Sequence, residues 1–161
     1  MSRTTGERRR GREYALQLLF QLDLAPQDTQ TAIEQFWLDK PVVGPVQEFA
    51  EQIVCGTMQC RDGIDAVLAG SAFNWRVSRM PVVDRNILRM AIYEFLFFAA
   101  TPRVVVIDEA IEIAKKFGNE ESAPFINGIL DAIRIKIEAG EIDLPADLAA
   151  LAVTLPGPKT V

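Results

Sequence analysis

The chain of 161 residues contains no histidine. Imidazole is the commonest general base near neutral pH, so serine or cysteine nucleophiles activated by a histidine are excluded. Cysteine is almost as scarce. Cys55 and Cys60 are the only two, five residues apart in a helical pattern, so their side chains leave the axis in different directions and no bridge between them is expected. Without histidine to complete a mixed site they do not make a zinc motif either, and no cofactor is implied. Long apolar runs are also missing. The greasiest stretch, Ile87 to Ile107, is interrupted by Arg89, Glu94, Pro102 and Arg103, whereas a membrane helix needs roughly 20 apolar residues in succession. Gln17, Gln21 and Asp23 break what would have to be the apolar core of a secretory signal, and a cytoplasmic location is expected.

What the chain does have is an uneven distribution of charge. Arg3, Arg8, Arg9, Arg10 and Arg12 stand against one acid, Glu7, giving residues 1–12 a formal +4 and leaving −9 for the rest of a chain whose total is −5. Guanidinium groups are planar, permanently charged and shaped to grip phosphate oxygens in pairs. Four of them within residues 8–12 of an otherwise acidic protein point to a nucleic-acid backbone, with a solvated, frayed terminus as the bland alternative.

Apolar residues recur with a period near 3.6 almost throughout, and strand-like alternation never persists, so the fold class expected is all-α. A first helix is predicted over about Glu7 to Leu24, with Ala15, Leu18, Leu19 and Leu22 on one face and Pro26 beyond its end. A second spans about Thr29 to Leu38. After the linker Pro41, Gly44 and Pro45, a long third helix carries Phe49, Ile53, Cys60, Ile64 and Leu68 to about Ala72. A nearly apolar helix from Asn86 to Ala99 is expected at the centre, with Asp84 capping it. Ile107, Ala110, Ile111, Ala114 and Phe117 form a stripe ending at Gly118, opposite a solvated face of Asp108, Glu109, Glu112, Lys115 and Lys116 with a Glu112–Lys116 pair. A last helix runs from Ser122, as N-cap, to near Gly140. The organisation expected is about seven helices in two packed bundles of about three, near residues 7–80 and 81–140, within a domain of residues 1–143. A basic arm, residues 3–12, precedes it, and a disordered tail, residues 144–161, follows.

The runs Val83-Asp84-Arg85-Asn86-Ile87-Leu88-Arg89, Ile107-Asp108-Glu109-Ala110-Ile111-Glu112-Ile113-Ala114-Lys115-Lys116-Phe117-Gly118 and Phe125-Ile126-Asn127-Gly128-Ile129-Leu130-Asp131 resemble successive motifs of the NusB family of transcription antitermination factors. Arg8-Arg9-Arg10-Gly11-Arg12-Glu13 resembles that family's opening. The likeness covers about residues 8–138. It implies a non-catalytic, all-helical RNA-binding protein that recognises boxA-type RNA together with the ribosomal protein NusE. That pair would join NusA, NusG and RNA polymerase to suppress termination, notably in ribosomal RNA operons. By the resemblance Arg8, Arg9, Arg10 and Arg12 form the RNA-binding segment, and Phe125 lies near the RNA path. The spacing of Phe125 from Ile129 equally suits a core aromatic. Phe20, Asp84 and Glu121 fall at positions used toward RNA or the protein partner.

Three departures bear on that reading. Gly11 replaces the usual alanine, which should loosen this end of the helix by up to about 1 kcal/mol and leave the arm disordered until RNA arrives. Pro124 stands where a basic residue is common, and Glu120 and Glu121 would repel phosphate. A NusB-like domain also precedes some ribosomal RNA methyltransferases, but no Pro-Cys nucleophile motif occurs here. A helical protein-interaction scaffold without direct RNA binding is the competing reading. An enzyme using Glu120 with Glu121 is a distant third, since adjacent helical residues point apart.

Overall fold

In the computed structural model, which describes residues 3–41, 44–72, 75–142, 146 and 148, all regular structure is helical. Among these residues there are seven α-helices, one 3-10 turn and no strand. None of the helices is long and apolar enough to cross a membrane. Two compact units divide at Gln59–Cys60, rather than at the 80–81 boundary that the sequence suggested.

The first unit holds α1 (Arg3–Leu24), α2 (Thr29–Trp37) and α3 (Pro45–Gln59). The predicted stripe Ala15, Leu18, Leu19 and Leu22 is fully buried where α1 packs on α3 and α2, whose own buried residues include Val46, Phe49, Ala50 and Ile53, and Ala32, Ile33 and Phe36. Each such apolar side chain contributes about 1.5–3 kcal/mol by leaving water. Asp28 starts α2: its carboxylate accepts from the Thr31 amide at 2.9 Å, and these bonds lower its pKa below the usual carboxylate value. α1 begins at Arg3, so the basic segment is the opening of this helix and not an arm ahead of it. Gly11 explains how. A Cβ at this position would come within 2.8 Å of Phe49 Cδ1 and 3.3 Å of the Val46 carbonyl oxygen, so the glycine lets α3 approach α1. Tertiary packing there offsets the propensity that glycine lacks.

The second unit holds α4 (Arg61–Ser71), a 3-10 turn (Val77–Arg79), α5 (Val82–Phe97), α6 (Arg103–Phe117) and α7 (Ser122–Glu138). The long third helix expected is in fact α3 and α4, broken at Cys60, whose φ of −100° and ψ of 10° leave the helical region. The Cys60 carbonyl still accepts from the Ile64 amide at 2.9 Å, so the apolar period runs on across the break and conceals it. α4 then packs on α5 and α7, which draws it into the second unit.

α5 is central as expected, with Ile87, Leu88, Met90, Ala91, Ile92 and Phe95 buried. Its Arg89, also buried, donates to both carboxylate oxygens of Asp65 on α4, at 2.8 and 3.0 Å. This forked pair satisfies a guanidinium that would otherwise be costly to bury. On α6, Glu109 is buried, so the solvated face is narrower than expected, and Glu112 pairs with Lys115 at 3.3 Å. The expected disordered tail lies outside the described residues except at Ala146 and Leu148. Leu148 departs from that expectation: it is buried against Gly63 of α4, where the absent side chain leaves room for it. Cys55 and Cys60 form no disulfide; the Cys55 residue is exposed overall, but partial desolvation of its thiol and the nearby Glu51 raise its pKa, whereas Cys60 is buried.

Candidate nucleic-acid interface

Two groups of residues stand out, one in each unit. In the first, helical geometry fans the arginines around α1. Arg10 is exposed and Arg8 and Arg9 are half-buried, whereas Arg12 is only 3% exposed. Arg8 and Arg12, one turn apart, both lie over the Phe49 ring, with guanidinium carbons 5.6 and 5.3 Å from its centroid. Arg12 is thereby the least accessible of the four arginines. The first turn of α1 contains no acid. Phe20 is half-buried and eleven residues beyond Arg9, which places it on the same face of α1 about 16 Å further along.

In the second unit a small cavity of about 90 Å³ is lined by Trp75, Pro81, Asp84, Asn119, Glu121 and Phe125. Phe125 is half-buried, neither a core residue nor fully open, and meets the indole of Trp75 edge to face at 5.8 Å and 71°. Trp75 is 53% exposed. Neither expected cap forms. α5 starts after Pro81 and α7 after Glu121, without side-chain capping bonds, and Asp84 and Ser122 bond to each other instead. The Ser122 hydroxyl donates to Asp84 Oδ1 at 2.7 Å and accepts from the Asn119 amide at 3.0 Å, while Asn119 Oδ1 accepts from the Glu121 amide at 2.9 Å. Burial pushes the Asp84 carboxyl above the usual carboxylate pKa, and the Ser122 hydrogen bond partly opposes this. Gly118 makes this knot possible. Any Cβ there would collide with Ser122 Oγ and lie 2.8 Å from the Ala114 carbonyl oxygen. Its φ of −94° is open to any residue, so it is space and not conformation that requires glycine.

Of the residues singled out from sequence, Asp84, Glu121 and Phe125 come together in this cavity, and Arg8, Arg9, Arg10, Arg12 and Phe20 share α1. Asp84 is only 4% exposed and lies beneath the surface, whereas Glu121 is exposed. Sequence reasoning missed Trp75 and the exposed Arg76 and Arg79 beside it. The signal was present in Trp75-Arg76-Val77-Ser78-Arg79, an aromatic interleaved with cations. Among the described residues no three cysteines or carboxylates gather as metal ligands.

A model of the NusB family matches residues 9–134. The transcription antitermination protein NusB of Anaeromyxobacter dehalogenans is 44% identical over 130 residues, 80% of this chain and 91% of that relative. The solved structure of T. maritima NusB is 38% identical, with a TM-score of 0.75 over 84% of this chain and 97% of that one. A chain in the crystal structure of antitermination factors NusB and NusE in complex with dsRNA shares the fold at 24% identity, with a TM-score of 0.74 over 84% of this chain and 98% of that one.

Proposed function

This chain belongs to the NusB family, and we propose that it acts as a non-catalytic transcription antitermination factor. It binds boxA-type RNA together with NusE, in the cytoplasm, in a complex with NusA, NusG and RNA polymerase that reads through terminators in ribosomal RNA operons. The observation that carries the RNA part of this reading is the arginine cluster opening α1 in a protein of net charge −5. Arg8, Arg9 and Arg10 hold phosphates, and Trp75 with Phe125 offers a surface on which a splayed base stacks. Phe20, Asp84 and Glu121 complete the RNA or partner contacts.

The acidic remainder of the chain, formally −9 outside residues 1–12, argues for the partner. Most of this surface repels RNA, so the isolated protein binds it weakly, and a basic partner docked on acidic helices lifts the repulsion. Titration of fluorescent boxA-type RNA with this protein, alone and with NusE, tests the reading. The expected result is at least tenfold tighter binding with NusE, and by linkage RNA strengthens the protein–protein contact by the same factor. Equal affinity with and without NusE removes the cooperative mechanism. NusE binding with no RNA binding by either form favours the scaffold reading.

A further inference from the structure

Phe49 occupies an unusual place for a core phenylalanine. It is 6% exposed on α3, and its ring is overlaid by two guanidiniums from successive turns of α1, Arg8 and Arg12. Gly11 lies between them in sequence and is the residue that lets the ring in, since its Cβ would sit 2.8 Å from Phe49 Cδ1. A leucine would fill most of the same volume. It would have no π face, however, and the attraction of a cation to an aromatic quadrupole grows when water is excluded, as it is around Arg12. Long arginine side chains lose much rotamer freedom when they bind, and a group already held loses less.

We propose that Phe49 is a positioning residue for the arginine cluster: its ring fixes Arg12 as a buried cation beneath the cluster and holds Arg8 ordered for phosphate before RNA arrives. The proposal rests on the RNA reading of these arginines. It reverses the expectation drawn from Gly11 in the sequence, because the glycine orders this segment through α3 rather than loosening it. Phe49 touches no RNA in this arrangement and acts only through Arg8 and Arg12.

The test uses the full chain with Phe49→Leu, Phe49→Met and Phe49→Tyr, at a temperature where circular dichroism shows each variant folded. Two readings are taken: the ring-current displacement of the Arg8 and Arg12 side-chain proton resonances, and affinity for boxA-type RNA across a salt series. Leu and Met should abolish the displacement and weaken RNA binding roughly three- to tenfold, while Tyr preserves both. The Met variant keeps the test open if Leu fails to fold. Unchanged RNA affinity in a folded Leu or Met variant overturns the proposal, as does an Arg8 resonance indifferent to residue 49. If the wild-type protein binds no RNA in a salt-dependent way, the RNA reading fails and the positioning role with it; intact ring-current shifts would then show that the fault lies in the reading and not in the contact.

Discussion

The arginine face of α1 and the cavity beside α5 and α7 are built on opposite plans. The first is charge carried on a regular helix, where helical spacing fans out four arginines and an aromatic ring of α3 lies against two of them. The second has a polar knot, Asp84–Ser122–Asn119, and a platform of two aromatic rings, Trp75 and Phe125, around one small cavity. Charge on a helix tolerates change in packing, whereas a knot of short hydrogen bonds does not. A small perturbation should therefore leave the first region folded but weaker in binding, and should disturb the second through its structure.

The same substitution made in each region gives the largest expected effect and the sharpest contrast. Gly118→Ala forces a Cβ into Ser122 and the Ala114 carbonyl oxygen, backbone that cannot rotate away, and should destabilise the protein by about 2–3 kcal/mol. Gly11→Ala meets the buried Phe49 ring at 2.8 Å and the Val46 carbonyl oxygen at the looser distance of 3.3 Å, and recovers up to about 1 kcal/mol of helix propensity, so its net cost should be below that of Gly118→Ala. Urea unfolding of both variants checks the ranking. A Gly11→Ala protein as unstable as Gly118→Ala would show that the α1–α3 approach is as rigid as the knot.

Changing Arg8, Arg9 and Arg10 together to Ala separates binding from stability. RNA affinity should fall at least tenfold, out of proportion to a modest fall in melting temperature, because exposed Arg10 contributes little to folding while half-buried Arg8 and Arg9 contribute some packing. If the wild-type protein neutralises three or four phosphates, its affinity should drop roughly 20- to 50-fold between 50 and 200 mM salt, and the variant should lose most of that slope. A flat salt response in the wild-type protein would favour the scaffold reading.

How much of this was open to the sequence follows from the kind of feature involved. The stripe Ala15, Leu18, Leu19 and Leu22, the apolar α5 and the arginine cluster are local and periodic, and they were read directly. The break at Cys60 was invisible because it costs one residue of dihedral change without disturbing the period. Arg12, Glu109 and Arg89 are charged residues made buryable by partners or rings elsewhere in the chain, as Asp65 serves Arg89 across 24 positions. Ser122 and Asp84 look like two separate helix caps in sequence, and only the fold, at a separation of 38 residues, makes them partners. Trp75 was overlooked for a related reason: outside a periodic segment, nothing in its neighbours says that Phe125 will lie beside it.

Trp75→Ala is the next smaller effect. The side chain is 53% exposed, so stability should hardly change, while RNA affinity should fall about fivefold if one base stacks on the indole. Trp75→Phe should restore most of it. In a Trp37→Phe background the only tryptophan left is Trp75, and its emission should be quenched as RNA is added. No quenching, together with unchanged affinity for Trp75→Ala, would confine RNA binding to the α1 face.

The smallest effect concerns Asp84 and tests whether the knot is maintained at a cost. Burial raises the folded-state pKa of this carboxyl above its ordinary value of 3.8, so the folded protein holds the proton more tightly than the unfolded chain does. Stability from this group is therefore greatest below that ordinary value and is lost as pH rises through the raised folded pKa, leaving a buried charge at neutral pH. Asp84→Asn removes the charge while keeping a side-chain oxygen to accept the Ser122 hydroxyl. At pH 7 the variant should be as stable as the wild-type protein or slightly more so, and its relative advantage should shrink as the pH falls toward 4 and the wild-type carboxyl takes up its proton. Denaturant titrations at the two pH values decide the matter. An Asn variant that is markedly less stable at pH 7 would mean that the ionised carboxylate strengthens the Ser122 bond by more than its burial costs, and that the second region, like the first, is held by charge.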